Sequence, residues 1–152
     1  MSVLAEPLAE LMWASWRVAP ITCDLFVPIP LHPARVRERG YNQSALLAQA
    51  LGRRLGIPTA KDAVRRVRNT KSQVGLSRSE RLQNMSGAFV SLRNLAGAPH
   101  IVLIDDVCTT GATLEACAEV LIGAGAGSVR ALTLARAIGR YRPPMNSRGE
   151  PQ

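Results

Sequence analysis

The run HIVLI at His100–Ile104 is the feature that most constrains the fold, because four of its five residues are strongly apolar. Such a run predicts a strand covered on both faces, as in a parallel sheet flanked by helices. Helical patterns and strand patterns alternate along the rest of the chain. The alternation predicts an α/β fold, an open, mainly parallel sheet with helices on both faces. The helical patterns cover residues 3–17, 42–55 and 113–124, and the strand patterns cover 24–29, 63–67, 87–90 and 129–135.

The connecting segments carry signals of their own. The segment LHPARVRERG, residues 31–40, follows the first strand pattern and is predicted to be a basic loop. Asn42 or Ser44 is expected to cap the next helix, and Gly56 to end it. Ser77 and Glu80 have the spacing of a capping box, which predicts a short helix directly after a polar loop.

The 152 residues fit one domain with a single core. We divide the chain into an N-terminal helix at 1–23, a main domain at 24–138 and a polar tail at 139–152, predicted to be disordered. Leu4, Leu8 and Leu11 share one face of the N-terminal helix, which we expect to pack on its own domain. No apolar run approaches the roughly 20 residues that cross a bilayer. No export signal is visible either, so a cytoplasmic location is expected.

The net charge of +8 favours anionic partners such as phosphate, nucleotide or nucleic acid. Nearly all of this charge is arginine, whose planar fork binds phosphate in a bidentate manner. A compositional bias of the gene is the alternative explanation. Cys23, Cys108 and Cys117 form no CxxC pair, and neither histidine stands at ligand spacing from them. No zinc site is therefore expected.

A turn of small residues follows the central strand. The turn, Cys108–Ala112, has few large side chains, so a ligand can approach its backbone closely. Its amides, together with the start of the next helix, form a positive concavity suited to a phosphate. Thr109, Thr110 and Thr113 can add hydroxyl donors. This segment is the candidate anion site.

An acidic pair, Asp105 and Asp106, joins the strand to that turn. Adjacent residues of a strand point to opposite faces, so the pair does not suit the facing carboxylates of a glycosidase. It suits a chain that wraps a ribose, with acceptors for two neighbouring hydroxyls. An acidic cap on the next helix is the simpler alternative, and it explains one aspartate. A P-loop would need a lysine near this turn, and a receiver domain would need one late in the chain, and the sequence has neither. A Rossmann fingerprint would need its glycines between a strand and a helix. The run GAGAG follows a helix and precedes a strand, so it is interpreted as a helix C-cap.

The string VLIDDVCTTGAT resembles the 5-phosphoribosyl-1-pyrophosphate (PRPP) motif of type I phosphoribosyltransferases: an apolar strand, two acids and TTG-x-T. Two further segments, VPIPLHPARVRERGYNQSALLAQAL and RVRNTKSQVGLSRSERLQNMSGAF, are similar to the ComF (competence protein F, GntX-like) branch of that family. The resemblance covers about Asp24–Arg136. Many ComF-like chains begin with a cysteine-rich zinc module, which this sequence lacks.

The resemblance implies a role for each matching segment. The acidic pair would hold the ribose hydroxyls, directly or through Mg²⁺, and here it is Asp105 and Asp106. A mobile loop would close over the site, and here it is Asn69–Leu76 with Gln73 and Ser77. The catalytic residues would be Gln73 and the acidic pair. The 5-phosphate would bind to the turn residues Thr109, Thr110, Gly111, Ala112 and Thr113. Pyrophosphate would bind to at least one of Arg35, Arg37 and Arg39, although a solvated basic loop is the alternative for these three.

The implied activity is a Mg²⁺-dependent pentosyl transfer, a glycosyltransferase reaction of nucleotide metabolism. Ribosyl 5-phosphate would pass from PRPP to a nitrogen of an unidentified base or amine, with release of pyrophosphate. The alternative is a non-catalytic PRPP-binding sensor or adaptor that works with DNA-uptake proteins. Direct DNA binding ranks lowest, because aromatic residues do not interleave with the basic ones. No membrane partner is expected, and the expected assembly is a homodimer. Any hood that recognises the base would come from the N-terminal helix or a partner.

Overall fold

A three-stranded parallel sheet forms the centre of the protein in a computed structural model that describes residues 4–70, 75–98 and 100–136. The strand order is β1-β4-β5, and β2 pairs with β3 in a separate antiparallel ribbon. In these ranges the helices are α1 (Ala5–Val18), α2 (Pro33–Arg39), α3 (Gln43–Leu55), α4 (Arg78–Met85) and α5 (Ala112–Gly123). The strands are β1 (Leu25–Pro28), β2 (Val64–Arg66), β3 (Phe89–Ser91), β4 (His100–Cys108) and β5 (Ser128–Arg136).

The central strand is β4, as its apolar sequence predicted. It pairs in parallel with β1 from Ile101 to Ile104, and with β5 along its whole length to Cys108. The apolar part is fully buried, since both faces of the sheet are covered. The strand is longer than the apolar run alone, so Asp105 and Asp106 lie inside it rather than in a segment leaving it.

Two hydrophobic clusters cover the two faces of the sheet and confirm an α/β fold with helices on both sides. Residues of β1 alternate between them, so Phe26 joins one cluster and Val27 the other. The Phe26 side packs on α1 and α3, where Trp16 meets the Phe26 ring edge-on at 5.6 Å between centroids. The Val27 side packs on α5 and the β2–β3 ribbon. Each fully buried large side chain contributes about 1.5–3 kcal/mol to folding.

The segment predicted to be a basic loop is instead the helix α2. His32 caps it by accepting a hydrogen bond from the Ala34 amide, at 3.2 Å, and Pro33 occupies the first helical position. Gly40 ends the helix with φ at 80°, in the left-handed region that glycine tolerates best. The start and stop signals were present in the sequence, but the dense arginines between them concealed the helix. The helix therefore fixes the backbone positions of the three arginines.

The N-terminal helix packs on α3 and the sheet, as expected, but with a different face from the leucine stripe. Its buried residues are Ala5, Ala9, Met12 and Trp16, whereas Leu4 and Leu11 remain 63% and 62% exposed. The two alanines allow close approach to α3. Leu4 and Leu11 are thus left outside the core, whereas Leu8 is partly buried against its Phe26 side.

The predicted strands at 63–67 and 87–90 form, but they pair with each other and not with the parallel sheet. Val64 stands opposite Ser91 in this antiparallel ribbon. The tail at 139–152 lies outside the described residues, and the domain boundary at residue 24 stays a prediction. In the described ranges, no helix combines the length and apolar character needed to cross a bilayer.

Candidate functional site

The turn between β4 and α5 opens the positive end of a helix towards a small depression. Gly111 occupies the cap position of α5 with φ at 85°, a conformation that favours glycine. Most helices place Ser, Thr, Asp or Asn here to accept from the first amides. Glycine has no side chain that could accept from these amides, so an acceptor from outside the helix can do so. An anion at the helix N-terminus is well suited to this.

Thr110 supplies a second indication of a missing partner. Its hydroxyl oxygen is buried, yet it has no hydrogen-bond partner among the described residues. A buried hydroxyl left without a partner costs about 1–3 kcal/mol, so such groups mark sites that bind something. The depression beside the turn has a volume of about 20 Å³ and is lined by Asp105 and residues 107–109 and 111–114. A single phosphate oxygen fits into this space, whereas a ring does not.

Asp105 is held at the edge of this depression by two hydrogen bonds. Its Oδ1 accepts from the Ser44 hydroxyl at 2.8 Å and from the Asp106 amide at 2.9 Å. Burial raises the pKa of the Asp105 carboxyl to about 6, partly offset by the Ser44 hydrogen bond, and the Asp106 charge raises it further. The pKa of this carboxyl is raised, so a ligand hydroxyl or a cation beside it would stabilise its charged form.

Ser44 reaches Asp105 because the start of α3 is fixed to the end of β1. The Asn42 side chain caps α3 by accepting from the Ser44 amide at 3.1 Å, and its Nδ2 donates to the Ile29 carbonyl at 2.9 Å. Ser44 is only 5% exposed. The sequence proposed Ser44 as a cap and missed its role beside Asp105, since the two residues are 61 positions apart. No local pattern in the sequence signals this contact.

Asp106 points to the other side of β4, as predicted for adjacent strand residues. Its Oδ1 accepts from the Val107 amide at 2.8 Å. It lines a second, larger cavity of about 300 Å³ with residues of α1, the α2–α3 connection and β5. In the described part of the chain, no three His, Cys, Asp or Glu residues cluster as a metal site. Any metal at the acidic pair would therefore need further ligands from a substrate or from water.

The three arginines of α2 differ in their surroundings. Arg35 forms an exposed ion pair with Glu38 at 3.1 Å, Arg39 lines the larger cavity, and Arg37 is exposed. The structure therefore separates three residues that the sequence treated as one cluster.

A fourth arginine, Arg66 of β2, was missed by the sequence analysis. Burial lowers the pKa of its guanidinium, and the nearby positive charge of Arg35 lowers it further. It contacts the Phe89 ring at 5.7 Å and the Thr70 hydroxyl. Among the described residues, no carboxylate forms an ion pair with it. Several arginines precede the polar loop, and nothing in the sequence distinguishes Arg66 from them.

The predicted mobile loop is described only at its ends. Gln73 lies outside the described residues, so its catalytic role stays a prediction. The far end of the loop is anchored as the capping box predicted. The Ser77 amide donates to Glu80 Oε2 at 2.7 Å, and the Glu80 amide donates to Ser77 Oγ at 3.3 Å.

Comparison with known sequences gives consistent matches. The profile of the phosphoribosyl transferase domain family matches residues 42–148. Competence protein F of Haemophilus influenzae is 39% identical over 137 residues, covering 86% of this chain and 60% of its own length. The DNA utilization protein YhgH of Escherichia coli K12 is 39% identical over 115 residues, covering 76% of this chain and 50% of its own. The chain thus spans about half to three fifths of these relatives.

A solved structure supports the fold at lower identity. The glutamine PRPP amidotransferase from B. subtilis, complexed with ADP and GMP, aligns with a TM-score of 0.56 and 17% identity. The alignment covers 93% of this chain and 27% of that one. At this identity the likeness concerns the fold alone. From the profile match and the curated relatives, the chain belongs to the phosphoribosyl transferase domain family, in the ComF branch of the type I phosphoribosyltransferases.

Proposed function

We propose that this chain binds PRPP at the carboxyl end of β4 and transfers its ribosyl 5-phosphate to a nitrogen acceptor in the cytoplasm. One observation supports this most directly. The turn after β4 joins a buried, unpaired Thr110 hydroxyl to a helix start capped only by Gly111. The helix start lines the depression and suits an anion with several acceptor oxygens, such as a phosphate monoester, whereas the Thr110 hydroxyl lies in the same turn without lining the depression.

Asp105 and Asp106 would bind the ribose hydroxyls and, with substrate oxygens, Mg²⁺. Since the two carboxylates lie on opposite sides of β4, one of them would hold Mg²⁺, with phosphates and water completing its shell, as is usual for this ion. When bound, Mg²⁺ would neutralise charge on the pyrophosphate leaving group. Arg66 and Arg35 would add positive charge on the pyrophosphate side, with Arg37 as a further candidate from α2, whereas Arg39 lines the larger cavity on the Asp106 side.

In the transfer, the bond between ribose C1 and the pyrophosphate oxygen breaks, and its electron pair leaves with pyrophosphate. A bond forms between C1 and the acceptor nitrogen, whose proton is released to solvent. The protein's residues position the two reactants and stabilise charge, because the chemistry needs no covalent intermediate. Gln73 and the loop at 69–76 would exclude water from C1 in the closed state.

A second function uses the same site without the transfer. The relatives carry the names competence protein F and DNA utilization protein, so the chain would act as a PRPP sensor or adaptor among proteins that handle DNA. The net charge of +8 is compatible with such a setting. This alternative requires PRPP binding but no pyrophosphate release with any acceptor.

Calorimetric titration with PRPP and Mg²⁺, followed by a pyrophosphate-release screen across nitrogen bases and amines, tests both functions. We expect saturable binding that weakens at least tenfold without Mg²⁺ or in the double variant Asp105→Asn, Asp106→Asn. Asp24→Asn with Asp62→Asn is the matched control, because it removes two exposed carboxylates far from the turn along the chain. Release with one acceptor class supports the transferase, and binding without any release supports the sensor. Absence of PRPP binding would refute both.

A further inference from the structure

The larger cavity, on the Asp106 side of β4, has a volume of about 300 Å³. That is at the lower end of the range for small-molecule sites, about 300–1,000 Å³. It therefore suits a ligand of one or two rings. Val107 lines both this cavity and the depression beside the turn. A ligand in the cavity would consequently lie next to a ligand bound at the turn.

The apolar walls of the cavity come from elements far apart in sequence. They are Leu4 at the start of α1, Leu8 within α1, Val107 of β4 and Leu134 of β5. Leu4 and Val107 are 63% and 48% exposed. Leu4 lies outside the core, and Leu8 is only partly buried against its Phe26 side. Large apolar side chains gathered around one concave space mark a binding site more often than scattered ones do.

The polar groups of the cavity are Arg39, Tyr41, Gln43 and Asp106. The turn at Gly40 brings the end of α2 and the start of α3 to the same rim. Within the described ranges, no carboxylate forms an ion pair with Arg39. Its guanidinium is therefore a donor that a planar carboxylate matches with two parallel hydrogen bonds. Gln43 can both donate and accept at the edge of a ring.

We propose that this cavity holds the nitrogen acceptor, and that the acceptor is a planar nitrogen heterocycle that carries a carboxylate. The leucines and Tyr41 cover the ring faces, Arg39 binds the carboxylate and Gln43 binds the ring edge. Asp106 repels a second anion, so the carboxylate lies away from β4 and a ring nitrogen lies towards it. The inference rests on the proposed function, because the cavity has an acceptor role only if PRPP binds at the turn.

The position of α1 gives this proposal a further consequence. Since Leu4 and Leu8 form one wall, the N-terminal helix supplies the cover over the acceptor. Leu8→Trp should fill the cavity and prevent binding of a ring. Leu11→Trp is the matched control, because Leu11 lies on the same helix, is 62% exposed and does not line the cavity.

Titration of protein with ¹³C-labelled Leu and Val methyl groups tests the proposal directly. The probes are pyridine, pyrimidine and imidazole carboxylates, each compared with its carboxamide. We expect ring-current shifts at Leu8, Val107 and Leu134 but not at Leu121 in the opposite core. At least one carboxylate should bind about tenfold more tightly than its carboxamide, and Arg39→Gln should remove that preference. Leu8→Trp should abolish the shifts, and Leu11→Trp should leave them unchanged.

PRPP binding is measured on the same sample, so the two proposals fail separately. No methyl shift at millimolar probe, with PRPP bound, would overturn the acceptor site and leave the PRPP site standing. Equal affinity for carboxylate and carboxamide would overturn the anionic class. Methyl shifts in a protein that does not bind PRPP would refute the proposed function, and with it the acceptor role of the cavity.

Discussion

The two sides of β4 at its carboxyl end are built in opposite ways. On the Asp105 side, every described lining residue of the 20 Å³ depression comes from the single segment 105–114. On the Asp106 side, the 300 Å³ cavity draws on α1, the α2–α3 connection, β4 and β5. One side is therefore fixed by local backbone, and the other by tertiary packing.

This difference matches two kinds of ligand. A phosphate has one shape and one charge pattern, so a short turn with a helix N-terminus is sufficient to bind it. A ring must be enclosed on two faces and along an edge, which needs side chains from several elements. Changes in α1 or the α2–α3 connection should thus alter acceptor choice without altering PRPP binding.

The largest effect is expected from Gly111→Val, which breaks the Asp105 side alone. The β-branched side chain is strained at a φ of 85° and displaces the anion from the helix start. We expect PRPP affinity to fall at least about a thousandfold, or roughly 4 kcal/mol, by calorimetry. Gly56→Val is the control for backbone strain, because Gly56 has a φ of 68° with open space around it. Equal losses in both variants would mean that the strain acts globally and not at the turn.

Asp105→Asn should have the next largest effect, which is on the folding stability of the protein in the absence of ligand. The folded pKa of about 6 lies above the ordinary value of 3.8. The folded chain thus holds more protons between these two pH values, and stability falls as pH rises through them. The variant lacks this loss, so above pH 6 it should be more stable than the wild type by up to about 3 kcal/mol. Below pH 4 the two should be alike.

Urea unfolding at a series of pH values from 4 to 8 measures this difference. Asp62→Asn is the control, and its stability difference from the wild type should have the opposite sign. The reason is that the hydrogen bond with Arg93 lowers the pKa of Asp62. A variant that is no more stable than the wild type at pH 8 would contradict the burial of charge at Asp105. That result would remove the electrostatic basis for assigning Asp105 to the site.

Ser44→Ala should produce a smaller effect, because Ser44 positions Asp105 without contacting the ligand. Loss of its hydrogen bond leaves the carboxylate less stabilised and should weaken PRPP binding by about fivefold, near 1 kcal/mol. The pH at which binding is half-maximal should also move upwards, since the Ser44 hydrogen bond lowers the pKa of Asp105. Ser91→Ala removes a hydroxyl from β3 as the control. An unchanged pH profile would contradict the positioning role.

The smallest effects should separate the arginines of α2. Arg35→Ala should weaken pyrophosphate binding about threefold, because Arg35 lies near Arg66 and the two charges act on one anion. Arg37→Ala should change it less, because the charge that acts on Arg66 among the described residues is that of Arg35. Competition of pyrophosphate with PRPP gives the two constants. A larger loss for Arg37→Ala would place the anion on a different face of α2.

The sequence predicted the Asp105 side well and the Asp106 side hardly at all. The segment around Thr110 and Gly111 is continuous, so its strand, turn and helix were visible together. The roles of Ser44 and Arg66 depend on contacts across the sheet, which no local pattern records. The helix α2 was missed because three arginines outweighed the signals of Pro33 and Gly40. The β2–β3 pairing was missed because strand partners are chosen by tertiary packing.

The central claim is that the turn after β4 binds the 5-phosphate of PRPP, and amide chemical shifts test it most directly. Protein labelled with ¹⁵N is titrated with ribose 5-phosphate, the smallest molecule that carries the group. The account predicts saturable shifts at the amides of Thr110, Gly111, Ala112 and Thr113, lost in Gly111→Val and kept in Gly56→Val. Saturable shifts confined to α2, with the turn amides unmoved, would contradict it.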